Sequence, residues 1–206
     1  MKFSCVSVVS ARRAVLCALA GLVLLAEPTA AQATIKIVAF GTSNTFGRNV
    51  APADNYPSKL EAALKGRGHD VQVINAGRNG DTVAGGLARL NAAVPEGTDI
   101  AIVEFGVNDR RAGVPPERIQ AGLDQIVDRL RERHIQVLVA NYMDVTGGGA
   151  ARGTYFVLFD VSRFPPTFRI ADDPYHHLNA AGYDVVVARM LPAVEALIAR
   201  VKKGDR

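Results

Sequence analysis

The sequence predicts a three-layer α/β/α domain built on a parallel sheet of about five strands. Three observations carry this. Short apolar runs of five or six residues alternate with longer amphipathic stretches throughout the chain beyond residue 34. The runs are apolar at nearly every position rather than at every second one, as strands buried on both faces are. The stretches between them are long enough for helical crossovers, which join parallel strands and cover both faces of the sheet.

Each element follows in order. Ile35–Phe40 is the first strand. Tyr56–Arg67 carries Leu60, Ala63 and Leu64 at helical spacing, and Val71–Ala76 (VQVINA) is the second strand. Val83–Ala93 is a helix with Leu87 and Leu90 on one face, where Gly85-Gly86 permit close packing. Ile100–Phe105 (IAIVEF) is the third strand. Pro116–Arg133 is the clearest helix: Pro115-Pro116 open it, and Ile119, Leu123, Ile126, Val127 and Leu130 form its apolar stripe. Gln136–Asn141 is the fourth strand and Tyr155–Phe159 a fifth. Ala180–Lys202 is the last helix, capped by Asn179, with a kink expected at Pro192. The segment from Tyr142 to Leu178 breaks the rhythm with Gly147-Gly148-Gly149 and Pro165-Pro166. It is expected to lie over the carboxyl ends of the strands, where open α/β sheets bind ligands.

The N-terminus reads as an export signal. Lys2, Arg12 and Arg13 precede a 13-residue apolar run, Ala14–Ala26; Pro28 ends it, and Ala31-Gln32-Ala33 offers a cleavage site. The run is short for a membrane span, which needs about 20 apolar residues. The expected organisation is therefore a signal peptide, 1–33, and one domain, 34–206, in a periplasmic or secreted protein with no lasting membrane anchor. Without residues 1–33 the balance is 21 basic against 19 acidic side chains, a net +2. That excess does not suit a nucleic-acid binder, which needs clustered basic stripes. Cys5 and Cys17 both lie in the signal. The rest of the chain has no disulfide, thiol nucleophile or thiolate metal site.

Four short segments fall at the carboxyl ends of predicted strands or just before the last helix: Gly41-Thr42-Ser43-Asn44-Thr45, Asn75 to Thr82 (NAGRNGDT), Gly106-Val107-Asn108-Asp109, and Asp173 to Asn179 (DPYHHLN). In a parallel sheet these ends share one rim. Together they supply an acyl-transfer site. A serine hydroxyl needs a base to take its proton, and the base needs a third group to fix its tautomer. A histidine and an aspartate late in the chain supply both. An oxyanion needs donors, available from the backbone N–H of Ser43 and of Gly80 and from the Asn108 amide. Read singly, Ser43 is a helix cap, Gly77 and Gly80 are turn glycines and Asn108-Asp109 is a turn. Asp109 is expected to bond neighbouring backbone, Asp81 to cap the helix near Val83, and His69 and His134 to be solvated. Adjacent His176-His177 with Asp172 and Asp173 make a poor metal site, because neighbouring side chains rarely bind one ion together. No G-x-x-x-x-G-K-[ST] or G-x-S-x-G pattern is present.

With these blocks in order, the chain resembles the SGNH-hydrolase (GDSL-type) superfamily, and within it the small exported thioesterase, lysophospholipase and arylesterase group. Ser43 in GTSNT, Gly80 in NAGRNGDT, Asn108 in GVNDRR and a histidine in HHLNAAGY match its four name-giving residues, and the likeness covers residues 35–200. It implies a flavodoxin-like fold and cofactor-free hydrolysis of small esters or thioesters, with Ser43, Asp173 and His177 catalytic, Ser43, Gly80 and Asn108 forming the oxyanion hole, and no metal. Two departures bear on the site. Thr42 stands where the family carries an acidic residue. The family spacing Asp-x-x-His selects His176, whereas the following Leu178-Asn179 selects His177; His177 is the expected base and His176 the alternative. The segment before Asp173 is also shorter than in many relatives. A carbohydrate acetyl esterase with the same site, and a binding module on a degenerate scaffold, are the competing readings.

Overall fold

The computed structural model describes residues 33–141, 155–158 and 164–205. Residues 1–32 of the expected signal, 1–33, and most of the 142–163 segment lie outside the described residues. Five strands form one sheet: β1 (Ile35–Gly41), β2 (Val71–Gly77), β3 (Ile100–Glu104), β4 (Gln136–Asn141) and β5 (Tyr155–Leu158). Their order is β2-β1-β3-β4-β5 and every pairing is parallel. This is the flavodoxin-like order, in which the chain winds outward in both directions from β1. The helices are α1 (Ser43–Phe46), α2 (Tyr56–Gly66), α3 (Val83–Ala93), α4 (Val107–Arg111), α5 (Pro116–Glu132) and α6 (Ala180–Lys203). The expected strands and helices are all present, most within one residue of the expected ends. The last helix passes through Pro192 without interruption.

Continuous apolar strands feed two cores, one on each face. Along β1, Ile35, Ile37 and Ala39 face α2 and α6, whereas Val38 and Phe40 face α3 and α5. β3 and β4 divide likewise: Ile100, Ile102, Leu138 and Ala140 go to the first core, and Ala101, Val103, Val137 and Val139 to the second. The stripe of α5, from Ile119 to Leu130, is buried against the second core. Burying side chains of this size contributes about 1.5–3 kcal/mol each.

Winding in two directions puts the topological switch point between β1 and β3, at whose carboxyl edge open α/β sheets bind ligands. Gly41 pairs with Gly77 on one side and Glu104 on the other, so three strands end at one level. Gly77 is more than a turn residue. It closes β2, and a Cβ there would collide with the Phe46 backbone. Its bare Cα lets α1 lie directly on β2. Gly86 meets the Phe105 ring in the same way, 2.8 Å from where a Cβ would stand.

Candidate active site

Ser43 is the first residue of α1, immediately beyond β1, and is 5% exposed. Thr42, not Ser43, occupies the helix N-cap position. The Ser43 hydroxyl lies 2.8 Å from His177 Nε2, and His177 Nδ1 lies 2.6 Å from Asp173 Oδ2. The same Asp173 oxygen accepts the His177 backbone N–H at 2.6 Å. Asp173, His177 and Ser43 thus form one continuous hydrogen-bonded chain. The four-residue Asp–His spacing is closed by a left-handed residue: His176 has φ +57° and donates its N–H to the Asp173 carbonyl at 3.0 Å. That turn points His177 inward and leaves His176 exposed. The loop is pinned from behind, where Ile170 N–H donates to the His177 carbonyl and Asn179 caps α6 through Gly182 N–H.

The electrostatics of the pair follow from these contacts. Burial lowers the pKa of His177 and outweighs the Asp173 hydrogen bond and charge, which raise it; the guanidiniums of Arg48 and Arg111 push it down further. For Asp173, burial acts upward, but the hydrogen bonds and charge of His177 hold its pKa below the usual carboxylate value.

Gly80 stands in the left-handed region at φ +71°, with open space where a Cβ would be. Asn108 Nδ2 donates to the Asp81 carbonyl at 2.7 Å, which ties α4 to the Gly80 loop. Asp109 is buried and accepts the Val83 N–H at 3.1 Å, fixing the start of α3. Asp81 does not cap that helix: Thr82 does, accepting from Gly85 N–H at 3.1 Å. Asp81 instead receives Arg89 Nε at 2.7 Å. Arg89 also donates to the carbonyls of Ala76 and Gly41, so one guanidinium fastens the Gly80 loop to the ends of β1 and β2. His69 is not simply solvated, since its Nε2 lies 3.2 Å from Glu195 on α6. Among the described residues no group of three or more His, Cys, Asp or Glu gathers as a metal site.

Glu104 was not anticipated from the sequence. It is 1% exposed at the end of β3, directly beneath the Ser43 turn. Its Oε2 accepts Thr42 N–H at 3.0 Å, Thr42 Oγ1 at 2.9 Å and Thr45 Oγ1 at 3.0 Å. Thr42, which stands where the family has an acid, therefore binds an acid supplied by the neighbouring strand. Two buried tyrosines close the nest: Tyr56 Oη lies 3.4 Å from Thr45 Oγ1, and Tyr183 Oη donates to the Asn44 carbonyl at 2.9 Å. A charged residue in an otherwise apolar run, IAIVEF, is the signal that could have revealed it.

Burial raises the Glu104 pKa to about 7 despite the hydrogen bonds from Thr42, Thr45 and Asn44, which lower it. The folded protein therefore holds a proton here that the unfolded chain has already lost above its ordinary value of 4.5. The stabilisation is complete below that value and falls as pH rises towards 7. Glu104→Gln keeps an acceptor for the threonine donors and cannot ionise. Urea unfolding between pH 4.5 and 8 is expected to lose part of its pH slope in this variant, a difference on the order of 2–3 kcal/mol across the range. An unchanged slope would show that Glu104 does not titrate in that window. Glu104→Ala orphans three buried donors and is expected to cost about 3 kcal/mol or more.

Comparison with known proteins gives the family of the chain. The model of the GDSL-like lipase/acylhydrolase family matches residues 39–159. The chain belongs to that family. Among GDSL-like relatives, an arylesterase of Vibrio mimicus is 34% identical over 111 residues, which are 53% of this chain and 56% of that protein. Esterase TesA of Pseudomonas aeruginosa is 34% identical over 119 residues, 57% of this chain and 58% of its own length. The alignments thus span little more than half of these curated relatives. The crystal structure of AlinE4, an SGNH-hydrolase family esterase, superposes with a TM-score of 0.60 at 31% identity, covering 80% of this chain and 97% of that one.

Proposed function

We propose that this GDSL-like protein is a serine hydrolase that cleaves carboxylic esters, thioesters included, through an acyl-enzyme on Ser43. The observation that carries the reading is the unbroken contact from Asp173 through His177 to the Ser43 hydroxyl, 2.6 and 2.8 Å, at the carboxyl edge of the sheet. Ser43 Oγ attacks the substrate carbonyl carbon as His177 Nε2 takes its proton, and Asp173 holds the imidazole in the tautomer that can accept it. The carbonyl oxygen becomes an oxyanion, met by the N–H groups of Ser43 and Gly80 and by the second hydrogen of the Asn108 amide, the first being held by Asp81. The tetrahedral intermediate expels the alcohol or thiol, which leaves with the proton from His177. Water, deprotonated by the same imidazole, then releases the acid and restores Ser43. The curated relatives named above are esterases, which supports ester hydrolysis as the reaction class.

The left-handed turn at His176 joins Asp173 to His177 across the four-residue spacing, which supports a working base over a degenerate scaffold. Export rests on residues 1–33, read as a cleaved signal that directs the domain to the periplasm or outside the cell. Among the described residues no helix is long and apolar enough to cross a membrane.

The test is covalent labelling. A fluorophosphonate is expected to add one phosphonyl group, at Ser43, and to stop hydrolysis of a butyrate ester in proportion. Full labelling with activity retained would sink the acyl-enzyme. The pH profile gives a second check. Only neutral imidazole accepts the serine proton, and the His177 pKa lies below its ordinary 6.5. The acid limb of kcat/KM is therefore expected to reach half-height below pH 6.5. A limb centred above pH 7 that persists in Glu104→Gln would contradict this.

A further inference from the structure

Two arginines stand beside the Ser43–His177 pair, and among the described residues no carboxylate lies opposite them. Arg48 follows α1, its backbone N–H donating to the Ser43 carbonyl at 3.1 Å. Arg111 ends α4, three residues beyond Asn108. Both guanidiniums gather on the Tyr175 ring, with carbon-to-centroid distances of 5.6 Å for Arg48 and 5.1 Å for Arg111. Arg111 also donates to the Tyr175 carbonyl at 3.0 Å. The ring is 46% exposed, and its centroid lies 5.9 Å from that of the His177 imidazole.

Four cations elsewhere meet acids: Lys59 meets Asp184, Lys65 meets Glu61, Arg67 meets Glu195 and Arg89 meets Asp81. Among the described residues Arg48 and Arg111 form no such pair, and Asp173, the acid on the adjoining loop, is engaged by His177. Two like charges held on one ring repel each other. Contact with the aromatic face offsets part of that repulsion and neutralises neither charge.

The position of this pair relative to the reaction gives it a direction. The leaving atom of an acyl transfer departs towards the histidine, because the histidine gives it a proton. A group attached to that atom leaves on the His177 side, and the Tyr175 ring that carries the two guanidiniums lies 5.9 Å from the imidazole. We propose that Arg48 and Arg111 form an anion-binding subsite for the leaving group, so that the enzyme favours esters whose departing alcohol or thiol carries a phosphate or a carboxylate. A guanidinium presents paired N–H donors that match either group. The proposal rests on the reading of Ser43 and His177 as an acyl-transfer site.

Three butyrate esters test it: those of 4-hydroxybenzenesulfonamide, which is neutral, of 4-hydroxybenzoate, and of 4-hydroxyphenyl phosphate. Each kcat/KM is divided by the spontaneous hydrolysis rate in the same buffer. At low salt the anionic esters are expected to exceed the neutral one by about tenfold, with the advantage shrinking as ionic strength rises. Whichever anion gains more identifies the group the subsite fits. In the Arg48→Gln, Arg111→Gln double variant the anionic-to-neutral ratio is expected to fall close to unity, mainly through KM, and the corresponding Lys double variant is expected to restore most of it. A wild-type ratio near unity, or a ratio that survives in the glutamine variant, overturns the subsite while turnover of the neutral ester leaves the acyl-transfer reading intact. If the arginines only brace Tyr175, all three esters slow together and the ratio holds, which also overturns it. No turnover of any ester removes both readings.

Discussion

Ser43→Ala is expected to lower kcat for a butyrate ester by about four to six orders of magnitude while leaving a folded protein. The substitution deletes one oxygen at a position only 5% exposed, so it opens almost no cavity. It removes one hydrogen bond, to His177, worth about 1 kcal/mol net. The turn itself survives, because Thr42 and Thr45 donate to Glu104 and Tyr183 Oη donates to the Asn44 carbonyl. Thermal unfolding should therefore shift by only a few degrees. Steady-state hydrolysis beside a melting curve checks both halves. Activity within tenfold of wild type in a folded variant would sink the mechanism.

His177→Ala is expected to cost about four orders of magnitude in kcat, and His176→Ala less than about threefold. The two residues are adjacent in sequence and opposite in environment. His177 is 3% exposed and touches both Ser43 and Asp173; His176 is exposed and makes the turn. Its contribution is conformational. At φ +57° a glycine is tolerated best, so His176→Gly should be neutral or mildly stabilising, whereas a β-branched replacement such as valine should cost about 1 kcal/mol or more. Kinetics of the two alanine variants decide between them. The reverse ranking would mean that the loop takes a different register in solution.

Much of the site was legible because its parts lie in short blocks, each following a predicted strand or preceding a predicted helix. Ser43, Asn108 and the Asp173–His177 loop needed only the inference that parallel strands end on one rim. Glu104 was missed for the opposite reason: it sits inside a strand whose burial on both faces was itself the prediction. Asp81 was given the cap that Thr82 makes, because either side chain can reach a helix start and only the placement of Arg89 shows which is otherwise engaged. Gly77 read as a turn glycine because its close contact is with Phe46, on a segment distant in sequence. The 142–154 and 159–163 stretches lie outside the described residues, and with them the expected cover of the strand ends.

By itself the sequence determined the elements, their order, the parallel sheet and the residue types that are candidates for the reaction. These follow from local periodicity and from residue type, which a chain carries whether or not it is folded. Only the tertiary structure decided which histidine faces the serine, since one left-handed residue in a four-residue turn settles the direction of both side chains. Only it decided how Thr42 serves where the family has an acid: through Glu104, 62 residues away, whose carboxyl group is brought beneath the turn by the pairing of β1 with β3. Contacts of that separation depend on strand order and register, which no local pattern encodes.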